Sequence, residues 1–516
     1  MKPTPTDTGL PLRAAAFDTL PEALDYAAKG RGGLNFYNAR GELTASLSHR
    51  ELRERAIAAA RGLVRAGLPP EARMLIIAET EPDFFVLFCA CQYASVVPVP
   101  VAVPTSLGGR DSYIAALRRQ LAGSAAAAAA APAALLGYLK EAALGTEAGL
   151  VGSFTDILDL PTAGADPRPF GPGDSSYLQY SSGSTRFPLG VDIPQATLMS
   201  NARAIAVHGL EINPEDRCVS WLPLYHDMGL VGFMLVPLLT QRSADYMPTR
   251  DFARRPLMWL TLMSRNGGTL AFSPSFGYDL CTRRERDAAG AGLDLRRWRG
   301  AGIGGDMIQP QVMSRFAEIF APYGFDRRAF VPSYGMAETT LAISFSPLGR
   351  GMLLDRVDRR RLAEEQRAVP SADADPLRSR TFVQCGHVLP GHFLEVRGED
   401  GRRLPDRHVG RVFVKGPSVM RGYFLEPEAT ARAIDGEGWL DTGDLGYMVD
   451  GAVTITGRAK DLIIVNGRNI WPQDLEWALE ERLGLRRGDA AAFSVESPDG
   501  AERVVVLIEC RTCDPA

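Results

Sequence analysis

"LQYSSGSTRFPLGV", residues Leu178–Val191, decides how the chain is read. It follows a strand-like run, "SSYLQY", passes through a Ser/Thr/Gly turn, and leads towards a helix expected to begin at Ser200 or Asn201. A strand that delivers backbone N–H groups and hydroxyls into one turn can cradle phosphate oxygens without a formal charge. The pattern is not a P-loop: no lysine follows its glycines, and Leu189 stands where positive charge would be expected. Taken alone, the stretch fits an ordinary Gly/Ser loop as well as a phosphate site.

The surroundings narrow the choice. "SLSHRELRERAIAAARGLVRAGL" (Ser46–Leu68) reads as a capped amphipathic helix with Leu52, Ala56, Ala59 and Leu63 on one face. "ARMLIIAE" reads as a buried strand, and the two patterns alternate to about Phe330, which predicts α/β layers around parallel sheet. The alanine run Ala125–Ala131 is expected to be a surface helix ended by Pro132. "RVDRRRLAEEQRAVPSADADPLRSR" (Arg356–Arg380) is charged and shows no core pattern, so a surface insertion is expected. Short alternating runs from Thr381 to Thr456 predict a strand-rich subdomain, and no internal repeat is visible.

With 516 residues and 46% hydrophobic composition, a large core can be buried. A net charge of −4 gives no overall basic field for nucleic acid or anionic membrane. "VLFCACQYASVVPVPVAVP" (Val86–Pro104) is apolar, but its polar residues and prolines favour a buried helix leading into a buried strand over a membrane span. The start, "MKPTPTDTGLPLRAAAF", lacks an apolar secretory core. Seven scattered cysteines fit a reducing cytoplasm, and Cys510-x-x-Cys513 has no second pair to complete a zinc site.

Further stretches carry chemistry. "SYGMAETTL" (Ser333–Leu341) offers an aromatic face in Tyr334 for a base and a carboxylate in Glu338 for a hard cation such as Mg²⁺. In "DTGDLG", Asp444 stands between glycines after a strand, where it could accept ribose hydroxyls or simply serve a β-turn. "GRAKDLIIVNGRNIWPQDLE" (Gly457–Glu476) brings Arg458, Lys460 and Asp461 beside a buried run. "SWLPLYHDMGLVG" (Ser220–Gly232) sets His226 beside Asp227; adjacent side chains do not make a triad, and no nucleophile elbow accompanies them.

The order and spacing of these motifs resemble the adenylate-forming superfamily of acyl-CoA synthetases, luciferases and peptide-synthetase adenylation domains, from about Ser46 to the end. Arg186 in the first loop, "SWLPLYHDMGLVG", Ala337 before the glutamate and the charged segment are similar to the fatty acyl-AMP ligase branch. In the superfamily the loop usually carries a glycine and a lysine where this chain has Arg186 and Leu189, and the branch often lacks that lysine. The resemblance implies an α/β adenylate-forming fold. Residues 1–458 would form the adenylation domain: two α/β subdomains, a β-rich subdomain at about 381–458 and an insertion at about 351–382. Residues 459–516 would form a partial α+β lid.

It also implies a reaction: ATP activates a medium- or long-chain fatty acid to acyl-adenylate, with pyrophosphate released. The acyl group then passes to the phosphopantetheine of an acyl carrier protein, with no nucleic acid and no stable membrane insertion involved. Ser182, Gly183, Ser184 and Thr185 would handle phosphate. Gly305 and Asp306 match the adenine loop, departing from its usual Gly-Ala-Glu-Pro. Ser333, Tyr334, Gly335, Met336 and Ala337 match the adenine and phosphate motif, with Glu338 as the Mg²⁺-linked carboxylate. Asp444 and Arg458 match the ribose contacts. His226 matches the histidine beside the acyl site, while Met228, Gly229, Phe276, Gly277 and Tyr278 would line an acyl tunnel. Lys460 matches the hinge on which the lid turns between half-reactions, and the insertion is thought to disfavour the arrangement used with CoA.

The family's lid runs well beyond the hinge and carries a lysine near its end, whereas Lys460 is the last lysine here. The expectation is a truncated chain, or one completed by another, that is impaired in adenylation. Two other readings stand beside the ligase: an acyl-CoA synthetase, and a non-catalytic acyl- or nucleotide-binding protein on the same fold.

Overall fold

The computed structural model describes residues 2–104, 109–181, 188–465, 468–486, 488–496 and 502–509. Among these, one sheet of 13 strands runs through the molecule. Inside an antiparallel edge strand, Leu43–Ser48, its first half is parallel and runs, in spatial order, through Gly33–Tyr37, Ala244–Tyr246, Cys218–Ser220, Leu270–Ser273, Gly300–Ile303 and Phe330–Gly335. Most of these strands are buried along their length, as parallel strands covered on both faces must be. The second half is antiparallel and includes Ala342–Phe345, Ala452–Arg458, Leu440–Val449 and Gly410–Lys415. The change of direction falls on one strand. Val331 and Pro332 pair in parallel with Gly302 and Ile303, and then Ser333 and Tyr334 pair antiparallel with Phe345 and Ser344.

A second sheet of four parallel strands holds Val97–Val101, Arg73–Ile77, Ala126–Ala131 and Leu150–Ser153. The expected helix is His49–Arg65; Ser48 accepts from the Glu51 N–H, and Leu52, Ala56, Ala59 and Leu63 are buried. The apolar stretch 86–104 divides as expected into the end of helix Pro82–Ala94 and strand Val97–Val101. No helix among the described residues is long and apolar enough to cross a membrane.

Three expectations are corrected. The alanine run is a strand, Ala126–Ala131, seated between two parallel neighbours, so tertiary pairing overrides helix propensity. The helix after the hydroxyl-rich loop begins at Gln195 rather than Ser200, because Pro194 sets an extended entry immediately before it. The charged segment is not a coreless surface piece. Strand Leu354–Asp358 pairs with Ser379–Val383 around helix Arg359–Glu365, and Val357, Leu362 and Ala368 are buried with Phe382, Tyr447 and Trp471.

This small core grips the following helix, Pro472–Leu483. The Arg380 guanidinium lies 4.5 Å over the Phe382 ring and 4.8 Å over Trp471. Its Nε is 3.0 Å from the Asp474 carboxylate, and the Arg359 guanidinium reaches the other Asp474 oxygen at 2.9 Å. Burial lowers the Arg380 pKa to about 10, against the pull of Asp474.

Candidate active site

A cavity of about 790 Å³ opens where the parallel strands end, the place where open α/β sheets take their ligands. Cys218–Ser220 leads to Trp221 and His226, Leu270–Ser273 to Pro274 and Phe276, Gly300–Ile303 to Gly305 and Asp306, and Phe330–Gly335 to Met336, Ala337 and Glu338; all of these line it. A second cavity of about 230 Å³ shares Gly305, Asp306, Ser333, Tyr334, Gly335 and Arg458 with the first and adds Asp444.

The segments that flank the hydroxyl-rich loop border this space. Strands Ser175–Tyr180 and Gly190–Pro194 pair, the Ser181 N–H donates to the Leu189 carbonyl at 3.0 Å, and both residues line the large cavity. Ser182, Gly183, Ser184 and Thr185, with Arg186, lie outside the described residues.

The polar end of the cavity is built across the sheet. Asp444 and Arg458 are cross-strand partners on Leu440–Val449 and Ala452–Arg458, with their charged groups 3.5 Å apart. The Tyr334 hydroxyl donates to Asp444 at 2.6 Å. The Glu338 carboxylate accepts from the Tyr423 hydroxyl at 2.9 Å. Burial pushes both carboxyls above their ordinary values, with those hydroxyls and Arg458 pulling the other way. Desolvation by the cavity walls also lowers the pKa of His226, which is itself exposed, and raises Asp227 to about 6, with Glu338 adding to the rise. Lys460 lines the cavity just after strand Ala452–Arg458.

The apolar end is formed by Trp221, Phe233, Phe272, Leu341 and Phe345, with Met228 and Phe276. Gly229, within the helical stretch Met228–Leu235, is a position only glycine fits, since a Cβ there would lie 2.1 Å from the Pro223 carbonyl oxygen.

A family model described as AMP-binding enzyme matches residues 26–424. The chain belongs to the AMP-binding enzyme family. It is 49% identical over 514 residues to a Caulobacter vibrioides protein named "Putative acyl-CoA synthetase", covering 99% of this chain and 89% of that one. It is 33% identical over 484 residues to the long-chain-fatty-acid–AMP ligase FadD26 of Mycobacterium tuberculosis, covering 90% and 81%. A solved structure from work on fatty acyl-adenylate ligases of E. coli and L. pneumophila superposes with a TM-score of 0.93 at 45% identity, covering 98% of this chain and 90% of that one. The fold is therefore the adenylate-forming α/β fold, and the resemblance read from the motifs holds.

Against that family pattern, Gly277 and Tyr278 are not where a tunnel wall was expected. Tyr278 is fully buried behind it, donating its hydroxyl to the Gly302 carbonyl at 2.9 Å. Gly277 lets helix Ser275–Thr282 close on Trp221, since a Cβ there would lie 2.6 Å from the ring. Asp306 lines both cavities, and its carboxylate is held from the side of helix Ser275–Thr282. It accepts from the Ser275 N–H at 3.1 Å and faces the Ser275 hydroxyl at 3.2 Å; its outer surface stays exposed, while desolvation by the cavity walls pushes its pKa up against those hydrogen bonds. Tyr423 is a site residue the sequence reading missed, and Asp227, weighed there only as a triad member, also lines the cavity. Tyr423 meets Glu338 from 85 positions away, and no local pattern marks it.

The donor set suits a cation that arrives on a nucleotide. No cluster of three or more His, Cys, Asp or Glu exists among the described residues. Tyr423 meets Glu338 Oε1, and a carboxylate keeps further acceptor sites that a metal could use. Mg²⁺ is commonly held by one or two carboxylates together with substrate phosphates.

Proposed function

We propose that the chain is a fatty acyl-AMP ligase: a fatty carboxylate attacks the α-phosphate of ATP, an acyl–phosphate bond forms, and pyrophosphate leaves. The observation that carries this reading is one continuous cavity with an aromatic and aliphatic end and a polar end made of Glu338, Arg458 and Lys460. Adenylation of this kind needs positioning and charge stabilisation rather than a covalent enzyme intermediate. Tyr334 and the backbone at Gly305 would hold adenine. Asp444 and Arg458 would take the ribose, and Ser182–Thr185 the phosphates. His226 would border the carboxylate, and Met228, Gly229 and Phe276 the acyl chain. Mg²⁺ bound through Glu338 would neutralise phosphate charge.

We take residues 1–458 as the adenylating body, 459–516 as the lid and Lys460 as the hinge between them. We further propose that the acyl group is handed to the phosphopantetheine of a carrier protein. The hold of the inserted segment on helix Pro472–Leu483 supports this. Mass spectrometry of the chain with ATP, Mg²⁺, a fatty-acid series and CoA tests the proposal. Acyl-AMP without acyl-CoA is expected; acyl-CoA as the product would replace the reading with a synthetase.

A further inference from the structure

The backbone just after Glu338 is unusual. Thr340 takes φ 69° and ψ −57°, and the Leu341 N–H donates to the Thr339 carbonyl at 2.8 Å. This is a γ-turn with a positive central φ, the rare and strained form, and it is occupied by a β-branched residue for which positive φ is a genuine outlier. Such strain persists only where the surroundings over-determine it.

Those surroundings are fully buried. The Thr340 hydroxyl donates to the Ser418 carbonyl at 2.9 Å. Asn201, inaccessible to solvent, clamps both backbone groups of Ala342: its amide donates to the carbonyl at 2.8 Å and its oxygen accepts from the N–H at 3.1 Å. The same amide donates to the Ser418 hydroxyl oxygen at 2.9 Å, and that hydroxyl meets His392 Nε2 at 2.6 Å. His392 Nδ1 lies 3.2 Å from the Pro390 carbonyl, a pure acceptor, which assigns the ring proton to Nδ1. Ser418 then donates to Nε2 and accepts from Asn201, so every contact has one direction. The Met420 N–H closes the set by donating to the Glu338 carbonyl at 2.8 Å. Helix Gln195–Ala204 and two loops far along the chain thus converge on one turn. Glycine would relieve the strain but lose the hydroxyl's bond to the Ser418 carbonyl, so the threonine holds the turn in one fixed geometry.

We propose that Asn201, backed by Ser418 and His392, is a positioning residue for adenylation: it locks the strained turn at Thr340 and so fixes the direction of the Glu338 carboxylate. This rests on the acyl-AMP ligase reading. The test uses the full chain and its Thr340→Gly, Thr340→Ser and Asn201→Ala variants. It follows thermal melting, steady-state pyrophosphate release, and binding of Mn²⁺ with a non-hydrolysable ATP analogue by electron paramagnetic resonance.

Thr340→Gly is expected to melt no lower than the parent, yet to lose roughly tenfold in kcat with the fatty-acid KM within about twofold. Its Mn²⁺ half-saturation is expected to rise about threefold or more. Thr340→Ser is expected to restore most of the loss, and folded Asn201→Ala to show the same kcat-against-KM split. A folded Thr340→Gly with parental kcat and Mn²⁺ binding would overturn the proposal, as would an Asn201→Ala loss that merely follows its unfolded fraction. If the parent binds no Mn²⁺–nucleotide, the ligase reading fails instead; a parent that binds it but releases no pyrophosphate is the impaired enzyme expected from the sequence. The Mn²⁺ titration then still decides the brace, and parental half-saturation in Thr340→Gly would overturn it.

Discussion

The two halves of the large sheet furnish the cavity by different rules. In the parallel half, the lining residues stand on the segments that leave the strand ends, so each contribution is one short run of sequence: Trp221–Gly229, Pro274–Phe276, Gly305–Asp306. In the antiparallel half they stand inside strands and meet across the ladder, as Asp444 meets Arg458. Loop-borne groups depend on local backbone shape, whereas strand-borne groups depend on register, in which a one-residue slip turns every side chain to the other face. The strand Phe330–Gly335 belongs to both halves, and Glu338 follows directly from it.

The comparison can be broken at that junction first. Glu338→Gln is expected to lower the rate of acyl-AMP formation about a hundredfold or more, read as pyrophosphate release, with little change in fold because Tyr423 can still donate to an amide oxygen. Local shape in the parallel half comes next. Gly229→Ala drives a Cβ to 2.1 Å from the Pro223 carbonyl oxygen, and is expected to cost about 1–3 kcal/mol in denaturant unfolding. It should lower acyl-AMP formation as well, because Met228 moves with it. Register in the antiparallel half should be more forgiving. Asp444→Asn keeps the ladder and the Tyr334 contact but removes the charge, so a rise of roughly tenfold in the KM for ATP is expected with the fatty-acid KM unchanged. A change in both KM values would mean that the two walls are not separable.

The smallest effect sharpens the picture by pH. Partial desolvation by the cavity walls raises Asp306 above its ordinary 3.8, towards about 7, while its outer surface stays exposed, so the effect on stability is small. Between those values the folded chain holds a proton that the unfolded chain has released, so this group's contribution to stability declines as pH rises through that window. Asp306→Asn cannot titrate and can still accept from the Ser275 N–H. Melting curves at pH 5 and pH 8 should therefore show the variant gaining on the parent at the higher pH. Equal pH dependence would remove the assignment.

The same division explains what the sequence disclosed. Loop motifs in the parallel half were legible because their chemistry is contiguous: "SYGMAETTL" and "SWLPLYHDMGLVG" name their own residues. Asp444 could be read as a turn aspartate because Gly443, at φ 73°, sits before it; the ten-residue strand Leu440–Val449 becomes evident only through its pairing. Tyr423 and the Asn201 brace were invisible because they act across 85 and 141 positions. The inserted segment concealed its core because Val357, Leu362 and Ala368 follow neither the helical nor the strand period.

The alanine strand has a consequence for how the chain finds its shape. Six identical methyl groups in Ala126–Ala131 carry no information about register, so a two-residue slip would place equivalent side chains on the same faces. What distinguishes the correct alignment lies outside the strand. Arg73 donates to the carbonyls of Ser124 and Ala125 at 3.0 and 2.9 Å, and Ala125 itself turns at φ 44°. A single guanidinium thus acts as the address label for a segment that cannot address itself.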